Sequence, residues 1–381
     1  MRILTISNCP LKAHQGSGYI IIRFCNGLRA RGHHVDLFGP EHVELFPAIR
    51  RAKSYRRGAG MLAFVMRKLP TARYDVVEFY GGEACLAATV LALLPRRQFL
   101  MVQHSNGLET SVREKLLKSL GSYSLTGDPV KWYQRGLLPT ANAFSKVDGL
   151  VVLSEPERLY ALNHGYQSDT RVAVIEPALP DEFLDLAPCP NRESVIGYCG
   201  SWIARKGSRV METEVSEILP QFPDWRFKLI GVGTDFRKDE HFPSGVSSRI
   251  EVIPFVEDKR RLRDLYQTIR ILIVPSVHES FGLVTAEGMA CGCAVAAGKT
   301  GFAHCLRDGE EAILIEPEQP GGLRGAIQKL IEDDSLRRRV AKQGRLRVQS
   351  LRWPVAIERL ERLYQTWLAG SPTRPGVFPP V

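Results

Sequence analysis

A chain of 381 residues exceeds what one ordinary core organises and suits two domains of roughly 100 to 200 residues each. With 44% hydrophobic and 24% charged residues it falls outside the disordered and membrane-spanning classes, and no apolar run approaches the ~20 residues of a bilayer helix. The formal charge of +10 favours an anionic partner: a nucleotide diphosphate, an acidic lipid surface or nucleic acid.

The first residues run straight into strand-like sequence, without an apolar leader or a small-residue cleavage site, so a cytoplasmic protein is expected. Runs rich in Val, Ile and Leu follow at 2–7, 34–38, 75–79, 98–103, 148–153 and 171–175, separated by turns or amphipathic stretches. This alternation predicts βαβ units and a parallel sheet. After the first run, Gly16-Ser17-Gly18 opens a predicted helix that stops at Gly32. Glycines there let backbone amides approach a phosphate, although a bare turn explains the pattern equally well. Asp36 begins the second run rather than ending it, which argues against a nicotinamide site.

Between 50 and 73 stand Arg50, Arg51, Lys53, Arg56, Arg57, Arg67, Lys68 and Arg73 with no acid, interleaved with Met61, Leu62, Phe64, Val65 and Leu69. Such a stretch suits a helix lying on an anionic membrane surface, or a solvated basic face over core residues. No nucleic-acid-binding module accompanies the charge, so that partner is set aside. His104 follows the fourth run in QHSNGLE, where it could hold a sugar hydroxyl or be structural. The aromatic stretch 123–132 is an expected acceptor loop without a legible code.

From Glu176 to Arg192 the chain reads EPALPDEFLDLAPCPNR, aperiodic and rich in Pro and acid, and residues 179–191 are expected to link two domains. A second set of strand-like runs lies at 194–198, 226–230, 249–253, 270–274, 293–297 and 312–315. Ligands of such sheets bind beyond the carboxyl ends of the strands. There the second half offers Gly200-Ser201-Trp202-Ile203-Ala204-Arg205-Lys206-Gly207, whose adjacent cations suit a diphosphate or a solvated turn. It also offers PSVHESFGLVTAEGMACG, in which Phe281-Gly282 would bring a helix N-terminus to a phosphate. Glu279 in the loop and Glu287 inside the helix can accept hydrogen bonds from sugar and ribose hydroxyls. Two carboxylates are also the parts of a glycoside hydrolase, but a strand-loop-helix setting does not flank a scissile bond.

Residues 353–368 place Ile357, Leu360, Leu363, Tyr364 and Trp367 on one stripe of a docked helix, and 371–381 should be loose. The eight cysteines are scattered, with only Cys291 and Cys293 close together, so reduced thiols are expected rather than a metal site.

These residues together resemble glycosyltransferase family 4 (GT4), the retaining GT-B enzymes. The resemblance is carried by SGYIIIRFCNGLRARGHHVDLFGP, GSWIARKG, LIGVGTDF, PSVHESFGLVTAEGMACGCAVAA, which looks like the family's E-x7-E segment, and RWPVAIERLERLYQTWL. It implies an α/β, GT-B fold: two Rossmann-like doubly wound parallel-sheet domains facing a cleft, acceptor domain 1–178 and donor domain 192–352. The 353–370 helix would cross back to the first domain. It implies that Glu279 contacts donor sugar hydroxyls and Glu287 the ribose, and that Arg205 and Lys206 bind the diphosphate. Phe281, Gly282, Leu283, Val284 and Gly231 would complete the donor site, with Gly16 and Gly18 near the phosphates from the other domain. His104 matches the family's cleft histidine.

The implied activity is retaining transfer from a nucleotide-diphosphate sugar, a UDP-sugar first and GDP-mannose second, to an acceptor hydroxyl, with no metal and no cofactor. A lipid-linked or glycan acceptor and peripheral contact with the inner membrane surface through 50–73 are further expectations. A nucleotide-sugar epimerase of the same fold, or a non-catalytic nucleotide-sugar binding protein, would keep the same donor residues.

Overall fold

The computed structural model describes residues 1–381 except 15, 50, 96, 121–138, 188, 190, 191 and 371–381. The expected acceptor loop at 123–132, the tail at 371–381 and Arg50 therefore lie outside the described residues. The chain divides into two compact units. The first holds Met1–Arg113, the chain up to Pro177 and the helix beginning at Trp353; the second holds Ala178–Arg352 and a short segment beginning at Glu114.

In the first unit, strands β1 (Arg2–Ser7), β2 (His34–Phe38), β3 (Val76–Tyr80), β4 (Leu100–His104), β5 (Gly149–Val152) and β6 (Val172–Val174) form one sheet in the order β2-β1-β3-β4-β5-β6. Every pairing is parallel, and β3, β4 and β5 are buried along their whole length. Parallel strands are covered on both faces, which is why these runs read as continuous apolar sequence rather than alternation.

The Trp353–Ala369 helix returns to this unit. Trp353 packs edge-on to Tyr19 and Phe24, with ring centroids 5.7 and 5.2 Å apart, and its indole N–H donates to the Tyr19 hydroxyl at 3.0 Å. Ile357, Leu360, Tyr364 and Trp367 are buried as their helical spacing predicts. Leu363, expected on the same stripe, is only half-buried, while Glu361 is buried in pairing with Arg31 and His33.

The Lys53–Lys68 helix buries Gly58, Gly60, Met61, Phe64 and Val65. Several of its cations serve the fold. Arg56 donates to the carbonyls of Leu45 and Phe46 at 2.8 and 2.6 Å, and Arg57 to the Asn8 carbonyl and the Glu44 carboxylate at 3.0 and 3.1 Å. Lys68 lies over the Phe38 ring and Arg67 over the Phe64 ring.

The second unit contains β7 (Val195–Cys199), β8 (Arg226–Ile230), β9 (Ile250–Ile253), β10 (Ile271–Val274), β11 (Ala294–Gly298) and β12 (Ile313–Ile315), in the order β12-β11-β10-β7-β8-β9. Its core joins Ile196, Phe227, Leu229, Ile271 and Ile273 to Met211, Val215 and Ile218 of the Ser208–Ile218 helix. Strand order reverses between β7 and β10.

The described residues of the segment expected to be a linker cluster with this unit. Asp181–Leu184 forms a helical turn with Phe183 and Leu184 buried, and Phe183 meets the Tyr266 ring. Leu179 N–H donates to the Leu351 carbonyl at 2.9 Å, and Arg352 pairs with Asp181 and Asp185. Composition suggested a linker because its few apolar residues follow no period, yet Ala178, Leu179, Phe183 and Leu184 are all buried.

Candidate functional site

The reversal between β7 and β10 opens the sheet at its carboxyl edge, and the sequence places its chemistry on the two loops that leave these strands. From β7 the chain reaches the turn Ala204–Lys206 and then Gly207, whose φ is +82°. A Cβ at Gly207 would lie 2.2 Å from the Pro275 carbonyl, so only glycine lets the β7 loop press against the β10 loop. Val277 N–H donates to the Arg205 carbonyl at 2.9 Å, and Arg205 Nη1 donates to the His278 carbonyl at 3.0 Å.

These contacts bring Lys206 Nζ to 2.5 Å from Glu279 Oε1. Burial pushes the Glu279 carboxyl up, but Lys206 and Arg205 outweigh it and hold the group below the ordinary carboxylate value. Thr300 Oγ1 accepts from the Glu279 amide at 3.1 Å and fixes the loop from the β11 side. Beyond it, Gly282 at φ +96° caps the Leu283–Ala290 helix. The first-turn amides of such a helix have no intrahelical acceptor, and Leu283 and Val284 are only half-buried. Phe281 is 3% exposed and packs on Phe302, so its side chain anchors the turn. Gly231, half-buried with φ +73°, follows β8 along the same edge.

Glu287, expected to contact the ribose, lies inside the Leu283–Ala290 helix. It is 3% exposed, with Oε1 2.7 Å from Lys259 Nζ and Oε2 accepting from the Tyr266 hydroxyl at 3.2 Å. Burial pushes the Cys199 thiol up to about 11, with Glu287 adding to it and the Tyr266 hydroxyl, Lys259 and Lys206 opposing it at the end of β7. Lys259 carried no signal in the sequence beyond membership of a charge run. His278 was also passed over: its ring is 3% exposed, neither nitrogen has a hydrogen-bond partner, and burial followed by nearby cations depresses it to about 3.

The remaining expected residues belong to the first unit. Gly16 is the exposed first residue of the Gly16–Ala30 helix. Gly18 is buried, and a Cβ there would lie 2.5 Å from the Pro10 carbonyl, so its smallness serves the preceding loop. His104, which could hold a sugar hydroxyl or be structural, is 1% exposed at the end of β4. Its Nε2 lies 2.6 Å from the Tyr364 hydroxyl and 3.3 Å from Glu78 Oε2, and its ring stacks on Tyr80. A hydroxyl of the last helix thus already meets this nitrogen.

Comparison with known proteins bears on both units. A family model described as Glycosyltransferase Family 4 matches residues 14–183, and one described as Glycosyl transferases group 1 matches residues 193–333. The D-inositol 3-phosphate glycosyltransferase 1 of Catenulispora acidiphila is 26% identical over 93% of this chain and 85% of its own length. An uncharacterized glycosyltransferase of Methanocaldococcus jannaschii and the D-inositol 3-phosphate glycosyltransferase of Corynebacterium jeikeium are each 28% identical, over 44% and 46% of this chain. In those two the match spans about half of the relative, 47% and 44%. Among solved structures, sucrose-phosphate synthase from Thermosynechococcus elongatus aligns with a TM-score of 0.75 at 20% identity, covering 97% of this chain and 100% of that one. Anabaena HepE in complex with UDP aligns with a TM-score of 0.70 at 17% identity, covering 96% and 100%. At these identities the likeness shows the GT-B fold.

Proposed function

The chain belongs to glycosyltransferase family 4, and from that premise we propose that it transfers a sugar from a nucleotide-diphosphate donor to an acceptor hydroxyl with retention. The observation that carries the reading is the meeting of Arg205, Lys206 and Glu279 where strand order reverses, beside the amides of Gly282, Leu283 and Val284.

In this reading the diphosphate lies against Arg205, Lys206 and the helix N-terminus, which stabilise the charge that grows as the leaving group departs. Entry of the phosphates draws Lys206 away from Glu279 and frees its carboxylate for donor hydroxyls. Glu287 holds Lys259 in place and meets the ribose only if that lysine turns aside. His104 acts through Glu78 and Tyr364 as a positioning residue. The leaving phosphate takes the proton of the acceptor hydroxyl as attack proceeds on the same face. Protein cations supply the charge a divalent ion supplies elsewhere, so no metal or cofactor is required.

HepE was solved with UDP and with UDP-glucose, which makes a UDP-sugar the first donor to test and GDP-mannose the second. Incubation with each donor and an acceptor extract in excess chelator should give a glycosylated product that keeps the anomeric configuration of the donor. An epimerised donor would favour an epimerase, and binding without turnover a non-catalytic partner; activity restored only by a divalent ion would remove the metal-free mechanism.

The acceptor side is proposed to include an anionic membrane surface. Among the described residues no helix is long and apolar enough to cross a membrane. Phe46 and Ile49 nevertheless stand exposed beside Arg51 and Lys53, which suits peripheral contact with acidic headgroups.

A further inference from the structure

The first sheet has its own reversal, between β1 and β3, and the chain places a second polar cluster at the carboxyl ends of β1, β3 and β4. Asn8 leaves β1, Gly81, Gly82 and Glu83 leave β3, and Asn106 and Glu109 follow β4. Asn8 Nδ2 donates to Glu83 Oε2 at 2.7 Å, the Gly82 amide donates to Glu109 Oε1 at 2.7 Å, and Asn106 Nδ2 lies 3.3 Å from Cys9 Sγ. Glu83 and Glu109 are 5% and 6% exposed, while Asn8, Cys9 and Asn106 are half-buried above them. The two carboxyls form a floor and the amides a rim.

Two buried polar atoms beside this cluster have no hydrogen-bond partner, Glu109 Oε2 and Gln103 Oε1; the Tyr80 hydroxyl, also without one, belongs to the opposite face of the sheet, where its ring stacks on His104. Each such atom costs free energy unless a ligand or water meets it, and two beside one polar cluster mark a place prepared for one. Burial, then the neighbouring Glu83, push Glu109 up to about 8, so at neutral pH it keeps a proton and offers an O–H donor. A carboxylic O–H beside amide and carboxylate acceptors is the complement of sugar or cyclitol hydroxyls. A phosphate is disfavoured there. The nearby Arg57 is shared, with Nη1 on the Asn8 carbonyl and 3.8 Å from Glu83, and Nη2 on Glu44. Its charge is divided between two acids, and an added dianion would meet the Glu83 carboxylate.

We propose that this cluster binds a neutral, hydroxyl-rich acceptor and that the Glu83 carboxylate excludes a phosphorylated one, a step that rests on the transferase reading above. The acceptor would then differ from the phosphorylated inositol in the names of the Catenulispora and Corynebacterium relatives.

Saturation-transfer NMR on the full chain with saturating UDP tests it, using myo-inositol, methyl glucoside and D-inositol 3-phosphate as probes. A neutral polyol should bind, and inositol 3-phosphate about tenfold or more weakly. Glu109→Gln, which offers an N–H in place of the O–H, should keep polyol binding, whereas Glu109→Ala and the rim variant Asn106→Ala should lose it. Glu83→Gln should narrow the gap between the neutral and phosphorylated probes. Tighter binding of inositol 3-phosphate by the unaltered chain, no binding of either polyol, or unchanged binding in both alanine variants would overturn the proposal. A UDP thermal shift on the same samples reads the second unit: if it persists while polyol binding fails, only the acceptor assignment falls; if it too is absent, the transferase reading fails first.

Discussion

Lys206 Nζ stands 2.5 Å from Glu279 Oε1, so a cation suited to a diphosphate and a carboxylate suited to a sugar hydroxyl already form one ion pair. The pair is partly enclosed, with side chains 20% and 11% exposed, and a diphosphate must compete with Glu279 for the lysine. Lys206→Ala should therefore fold normally and lower turnover by ~30-fold to ~1000-fold, the equivalent of roughly 2 to 4 kcal/mol of leaving-group stabilisation. Glu279→Ala should show a comparable loss. Steady-state rates with the circular-dichroism melt of each variant check this, and full turnover in either would dismiss the assignment.

Gly207 couples the two loops. An alanine there meets both a φ of +82° and the Pro275 carbonyl at 2.2 Å, so Gly207→Ala should lower stability by about 1 to 3 kcal/mol. Because the backbone that carries Arg205 and Lys206 must shift, nucleotide affinity should fall with it. A urea melt beside a nucleotide titration measures both; an unaltered melt would contradict the close approach.

His278 makes stability depend on pH. The ordinary value for histidine is 6.5, and burial depresses this one to about 3. Between those values the unfolded chain binds a proton that the folded chain refuses, so stability falls as pH drops from 6.5 towards 3, by at most about 1.4 kcal/mol per unit. The shift of Glu279 acts lower: its lowered value contributes stability that is present above 4.5 and is lost as pH falls below it. The interval from 6.5 to 4.5 thus isolates the histidine from Glu279. Glu109, raised to about 8, acts in the opposite sense over the same interval, so the histidine is read as a difference: the urea midpoint of His278→Leu should rise relative to the parent as pH goes from 7 through 6 to 5, and a constant difference would show that the ring is not the source.

The membrane contact is tested by sedimentation with vesicles. Phe46 is 69% and Ile49 51% exposed, and burying each in a lipid surface contributes on the order of 1.5 to 3 kcal/mol. Replacing both with serine should reduce binding to anionic vesicles roughly tenfold or more. Equal binding to neutral vesicles, or none to anionic ones, would leave the Lys53–Lys68 helix as a basic face over its core.

The twelve strands of the described residues were legible as runs rich in Val, Ile and Leu, with ends shifted by no more than two residues, and those buried throughout, such as β5 and β10, leave an uninterrupted apolar signature. The β7 and β10 loops were legible for the same reason: they follow those strands. What could not be read were relationships across space. Lys259 and Glu287 are 28 residues apart, and only the packed helix places them at 2.7 Å. Nor does a run of arginines reveal that Arg56 caps carbonyls and that Arg57 divides itself between Glu44 and Asn8. His104 matched its expected strand end, but the Tyr364 hydroxyl that closes over it comes from a helix 260 residues on.

Calorimetric titration with UDP and GDP, on the parent chain and on Arg205→Ala and Lys206→Ala, bears most directly on the donor site. One nucleotide should bind the parent with one-to-one stoichiometry, and each variant should weaken it by about tenfold or more, since a charge-assisted phosphate contact contributes roughly 1.5 to 3 kcal/mol. Binding of neither nucleotide, or the same affinity in all three proteins, would mean that the β7 and β10 loops hold no diphosphate.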